Sequence, residues 1–152
     1  MDKLIINEEN FEKARKQIRT AKEKNKEIIF TSNNDELNRK ILEKEKIDIL
    51  LLNLECRKDK QKQRNSGFNH VLAKLAKNGN VKIGINLDEI IKNNGMNKAQ
   101  ILARLKQNIK LCNKNKIQMT FISQKEENIR DKRDLASLGL VLGMPTWMTK
   151  NL

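Results

Sequence analysis

Five short runs of β-branched and aliphatic residues punctuate the chain, at residues 3–6 (KLII), 27–32 (EIIFTS), 47–54 (IDILLLNL), 81–87 (VKIGINL) and 117–123 (IQMTFIS). Each has the length of a buried strand, and the stretches between them carry apolar residues at helical spacing. Parallel neighbours in a sheet need a crossover long enough to return the chain, so strand alternating with helix is the mark of βαβ units. The fold class is therefore α/β, with a mostly parallel sheet of about five strands. No internal repeat and no Gly/Ser/Pro-rich linker interrupts the 152 residues, which read as one domain, 1–152.

The helical stretches can be placed from their apolar faces. Phe68, Val71, Leu72 and Leu75 recur at i, i+3, i+4 and i+7, which predicts a helix over 66–77 with Ser66 as N-cap and Gly79 as its stop. Ile101, Leu102, Leu105, Ile109 and Cys112 form the inner face of a helix over 97–115, and Lys106, Lys110 and Lys114 stack on its outer face. A last helix over 132–142 is apolar nearly all round through Leu135, Ala136, Leu138, Leu140, Val141 and Leu142, so burial on more than one side is expected. Gly143 and Pro145 end it, and the following MPTWMTKNL stops where another element could begin.

Charge narrows the function. Lys and Arg number 32 against 19 Asp and Glu, a net +13, and such a surplus favours a polyanionic partner. An AT-rich coding sequence would also enrich Asn and Lys and could account for part of the excess. No apolar run approaches a membrane span and no signal-peptide pattern opens the chain, so the expected setting is soluble and cytoplasmic, with no membrane partner. Cys56 and Cys112 lack CxxC or Cys/His spacing and read as reduced thiols, Cys112 in the core.

In a parallel α/β architecture, function gathers at the carboxyl ends of the strands. Those ends offer Thr31, Ser32 and Asn33, then Asn53 and Glu55, then Asn86 and Asp88, then Ser123 and Gln124. The set is polar but poor in metal ligands, and the single histidine cannot supply a metallohydrolase site. Glu55 and Asp88 are the one pair that could hold a magnesium ion. No phosphate-loop, dinucleotide, nucleophile-elbow or zincin motif is present, so no catalytic residue and no metal ligand is assigned.

The strongest electrostatic feature is CRKDKQKQRNSG, residues 56–67, where Arg57, Lys58, Lys60, Lys62 and Arg64 meet only one acid, Asp59. It follows a strand and precedes a helix start, whose free N–H groups and positive dipole end suit a phosphate. The alternative is a solvated, mobile loop. His70 falls on the helix side shared with Lys74 and Lys77, where it would bond a phosphate, stack on a base or cap a neighbouring loop. Phe30, Phe68 and Phe121 occupy core registers, which leaves no stacking platform and points to folded RNA bound through phosphate and shape.

Two segments carry a family resemblance. Asn38 and Arg39 followed by IDIL at 47–50 resemble an NR…VDIL pattern, and RNSGFNHVLAKLA at 64–76 resembles RKDSGxDHVLAxLA, with Arg57, Lys58 and Asp59 as a second match to its RKD and KQKQRN as an insertion. RLKQNIKL at 104–111, TFIS at 120–123 and IRDKRDLASLGLVLGM at 129–144 echo the later pattern. The family is ribonuclease P protein component 3. The resemblance implies a TIM-like β/α barrel of seven or eight strands without a metal site. It also implies a subunit of ribonuclease P, an endoribonuclease whose RNA carries out the magnesium-dependent removal of the 5′ leader from precursor tRNA. Partners would be the ribonuclease P RNA, component 2 (a small ferredoxin-like subunit) and precursor tRNA. The chain itself would bind no cofactor, and Mg2+ would act through the RNA. The family's first two strands and last strand have no counterpart here, so a shortened or open barrel is expected, its edges covered by self-association or a partner. The RNA contacts expected are Arg57, Lys58, Lys60, Lys62, Arg64 and His70, with Arg39, Arg104 and Arg133 beside them. Two other classes stay open: a general basic RNA chaperone, and a metal-assisted phosphoesterase using Glu55 and Asp88.

Overall fold

The computed structural model describes residues 2–152. Five parallel strands, β1 (Lys3–Asn7), β2 (Glu27–Thr31), β3 (Ile49–Leu52), β4 (Lys82–Asn86) and β5 (Met119–Ile122), lie side by side in chain order. The helices are α1 (Phe11–Glu23), α2 (Asp35–Lys44), α3 (His70–Asn78), α4 (Leu87–Lys92), α5 (Gly95–Asn115), α6 (Lys132–Leu142) and α7 (Thr146–Thr149). The sheet is not closed: β1 and β5 are each paired on one side only. This is the five-stranded, parallel α/β arrangement that the strand–helix alternation implies, and its open sheet is consistent with the shortened TIM-like barrel that the family resemblance implies.

Residue parity divides the two faces of the sheet. In register across it, Ile6, Phe30, Leu50, Ile83 and Met119 form one row that points outward, each no more than 1 % exposed. That row packs beneath the helical layer with Ile18, Ile41, Leu72, Ile101, Leu105 and Ile109. Each such side chain contributes on the order of 2 kcal/mol by leaving water. The opposite face holds a second, smaller cluster of Ile29, Ile49, Leu51 and Ile122, with Ile5 packed against it. For side chains of β1, β2 and β5 to share that cluster, the sheet must curl inward. Gly84 makes the curl possible: a Cβ there would stand 3.0 Å from Ile49 Cγ2 and 3.1 Å from Leu51 Cα.

Helix starts follow local capping chemistry. Asn10, Asn34, Asn69 and Asp131 each accept hydrogen bonds from first-turn backbone N–H groups of α1, α2, α3 and α6. Four sequence expectations need correction. Asn69, not Ser66, caps α3, because Ser66 is drawn into the core at 2 % exposure, where its hydroxyl donates to Phe68 O and its carbonyl accepts from Asn108. The inner face of α3 is accordingly Leu72, Ala73 and Ala76, and Val71 is exposed. Leu87 does not end a strand but opens α4, because Asn86 caps it. In α6 only Gly139 and Leu142 are buried, while Leu140 and Val141 are 51 % and 78 % exposed. One side of that helix thus packs on α5 and the other faces solvent. No helix among the described residues is long and apolar enough to cross a membrane.

Candidate functional site

Beyond β3 the chain leaves the sheet in a long connection to α3, and this connection is fixed by two buried guanidinium groups. The Arg57 side chain, only 9 % exposed, donates two 2.9 Å bonds to the Asp35 carboxylate, one to Asn65 Oδ1 and one to Asn53 O. Gly67, at φ +67, lies flat against that guanidinium, where a Cβ would overlap it. Arg104 reaches up from α5 and donates to Leu54 O at 3.0 Å and to Arg57 O at 2.8 Å, with Asp59 at 3.2 Å. Asp59 also accepts from the backbone N–H of Asn65, and this bond, together with Arg104, holds its carboxyl below the usual range.

The loop is therefore latched at Arg57, Asp59 and Asn65, and two of the expected phosphate contacts, Arg57 and Arg104, turn hydrogen-bond donors inward. The donors of Arg57 and Arg104 are directed inward to carbonyls and carboxylates, which makes both residues scaffold. What the scaffold presents outward is Lys58, Lys60, Lys62 and Arg64, all exposed. Lys60 and Gln63 exchange backbone hydrogen bonds of 2.9 and 3.2 Å, so Lys62 sits at the tip of a tight turn. Arg39 on α2, Lys60, Arg64, Asn65 and Asn69 line a common cleft of about 350 Å³ between the loop and α2. His70 is exposed at the first position of α3, next to Asn69 at its edge. Arg133 stands apart on the first turn of α6.

A second, larger cleft of about 880 Å³ opens over the carboxyl ends of the strands and shares Asp35 and Asn65 with the first. Its floor is a row of amides: Asn53 donates to Thr31 Oγ1 and Asn33 Oδ1, and Asn86 donates to Asn53 Oδ1, at 3.1 to 3.2 Å. Asp88 accepts from Ser123 Oγ, Gln124 N and Asn128 Nδ2, each at 2.8 Å. Burial pushes Asp88 upward, and these hydrogen bonds outweigh it, leaving the carboxyl below its ordinary value. Glu55 pairs with Lys92. Among the described residues no three His, Cys, Asp or Glu side chains converge as a metal-ligand group. Glu89, missed in the sequence, is buried; desolvation raises its pKa, although the backbone N–H groups of Leu54 and Glu55 donate to it. Cys112 lies in the core, where burial pushes its thiol up to about 12.

The family model for the RNase P subunit p30 matches residues 3–151. The chain belongs to the RNase P subunit p30 family. Among curated p30 relatives, ribonuclease P protein component 3 of Methanococcus vannielii is 33% identical over 89 residues, 58% of this chain and 36% of that protein. The component 3 of Thermococcus kodakarensis is 32% identical over 131 residues, 84% of this chain and 56% of that protein. That of Methanosarcina acetivorans is 29% identical over 119 residues, 77% and 47% of the respective lengths. The chain thus spans between about a third and just over half of the length of the curated p30 relatives it matches. A chain in a cryo-EM structure of archaeal ribonuclease P with mature tRNA superposes with a TM-score of 0.76 at 25% identity, covering 96% of this chain and 62% of that one.

Proposed function

We propose that this p30-family chain is a protein subunit of ribonuclease P that binds the enzyme's RNA in the cytoplasm and supports RNA-catalysed removal of the 5′ leader from precursor tRNA. The observation that carries the reading is the match of almost the whole chain to a subunit of a ribonuclease P particle. The chemistry is assigned to the RNA, with Mg2+ acting there, and the chain acts by positioning. Lys60, Lys62 and Arg64 on the latched loop, with Arg39 and His70 flanking the same cleft, are the proposed phosphate contacts; Lys58 borders the neighbouring cleft, and Arg133 would extend the surface. Arg57 and Arg104 hold the loop in shape for them. A loop whose backbone is latched before binding lowers the ordering cost of holding its cations against the RNA, which favours a defined RNA surface over indiscriminate chaperoning. Component 2 is the proposed protein partner, and a partner or second copy is proposed to cover the single-sided edges of β1 and β5.

The test is reconstitution of precursor tRNA cleavage from the cognate RNA and component 2, with and without this chain, at limiting magnesium. Stimulated cleavage at the mature 5′ end is expected. Absence of stimulation by a folded chain, with the other components active, would overturn the subunit reading and favour a general RNA chaperone. Cleavage by the chain without RNA, abolished in Glu55→Ala or Asp88→Ala, would establish the phosphoesterase instead.

A further inference from the structure

Helices α3 and α5 pack side by side, and neither carries a single Asp or Glu. We propose that the outward face of α5 is a second RNA surface, continuous with the cleft beside the β3–α3 loop, on which Lys106, Lys110 and Lys114 meet successive phosphates along one strand of an RNA duplex. Its partner is the RNA of the reading above, on which it therefore rests.

The missing carboxylates say more than the lysines do. A lysine-rich composition adds cations everywhere, yet α1 keeps Glu12 and Glu23 among its cations and α2 keeps Asp35, Glu36 and Glu43. On α5, Lys106, Lys110 and Lys114 are all exposed, and among the described residues no carboxylate pairs with any of them. They recur at i, i+4 and i+8, which stacks like charges on one side of the helix and destabilises the unbound protein. Only Lys114, in the last turn, gains from the negative end of the helix dipole. A polyanion laid along the row replaces that repulsion with attraction.

The row also has the right spacing. Four residues of α-helix advance about 6 Å, close to the separation of successive phosphates along one RNA strand, so three lysines can serve three phosphates in turn. The face lies in a trough of about 740 Å³ whose lining includes Arg64, Lys106, Gln107 and Lys110 and no carboxylate, with Leu102 and Val141 as apolar members. Lys114 continues the row one turn further along α5. Arg64 and Gln107 also line the loop cleft together with Arg39 and Lys60, so the two depressions meet at these side chains. An RNA backbone seated in the loop cleft can therefore pass over Arg64 and Gln107 onto α5. No aromatic side chain lines the trough, and Phe68, the aromatic of the loop cleft, is buried, so neither offers a platform for unpaired bases. A duplex, recognised through its backbone and shape, is the RNA that fits.

The experiment is fluorescence anisotropy of the folded chain with a labelled RNA duplex of about 16 base pairs, across a salt series. Lys106→Gln/Lys110→Gln/Lys114→Gln keeps the helix propensity and removes three charges. It is expected to lower the slope of log K against log[salt] by about 2 to 3 and to weaken binding at low salt at least about tenfold. Lys13→Gln/Lys16→Gln/Arg19→Gln removes the same charge from exposed positions on α1 and is expected to leave the slope unchanged. No binding of the duplex by the unaltered chain, equal effects of the two variants, or equally tight binding of the unpaired strand would overturn the proposal. An α5 variant with an unchanged slope that no longer stimulates precursor tRNA cleavage would overturn it in favour of an acidic protein partner. An unchanged slope with full stimulation would overturn the α5 surface alone and leave the subunit reading standing. A lowered slope, with no stimulation even by the unaltered chain, would keep the surface and remove the subunit reading.

Discussion

Replacing Arg104 by Met isolates the role of the buried latch. Methionine fills nearly the same volume, so no large cavity is made, but the carbonyls of Leu54 and Arg57 lose charge-assisted donors at 3.0 and 2.8 Å. Hydrogen bonds to charged groups contribute roughly 1.5–3 kcal/mol each, and at 3 % exposure water cannot replace the donor without local opening. The two together give a loss of about 3–5 kcal/mol, with the exposed Asp59 contact left out of the sum. For a domain of this size that corresponds to a fall in melting temperature of roughly 10 °C. Urea unfolding followed by circular dichroism reads the loss, and trypsin cleavage within residues 58–64 reads the release of the loop. Arg104→Lys should fall between, since one ammonium cannot span both carbonyls. A loss below about 1 kcal/mol with unchanged loop proteolysis would refute the latch, because it would mean that the loop is held by other contacts.

Other consequences can be measured with the same material. Gly84→Ala should destabilise by about 1–3 kcal/mol, since its methyl would press on Ile49 and Leu51 inside the curl, and an unchanged denaturation midpoint would show that the sheet can flatten. Asp88 lies below its ordinary 3.8, so the stability it contributes is present above that value and is lost as pH falls through the folded pKa. Glu89 lies above 4.5, so its contribution is complete below 4.5 and is lost as pH rises through the folded pKa. Denaturant midpoints across the acid range should therefore flatten at the acid end in Asp88→Asn and above pH 4.5 in Glu89→Gln, and superimposable curves would contradict both assignments. Affinity for ribonuclease P RNA should fall steeply with salt, and Lys60→Ala/Lys62→Ala/Arg64→Ala should lower the slope of log K against log[salt] by about 2 to 3 without loss of fold. An unchanged slope would place the RNA elsewhere.

The sequence by itself determined the architecture. Alternation of β-branched runs with amphipathic helices leaves few arrangements besides a parallel sheet, and inward spacing at Ile101, Leu105, Ile109 and Cys112 is local enough to read directly. Capping was only partly legible, because Ser66 and Asn69 are both competent caps and the choice between them depends on Ser66 being pulled into the core by Asn108, 42 residues away in the chain. The same limit governed the site. Lys60, Lys62 and Arg64 look the same in the sequence as Arg57 and Arg104, since a string of cations does not state which ones face inward. Only the tertiary structure brings Asp35 under Arg57 and the Leu54 carbonyl under Arg104, so that both guanidinium groups donate inward. It likewise assembles Asn33, Asn53 and Asn86, scattered over three strand ends, into one floor. Local patterns encode which face of an element is buried; the identity of the groups that meet across elements is fixed only when parallel strands come into register.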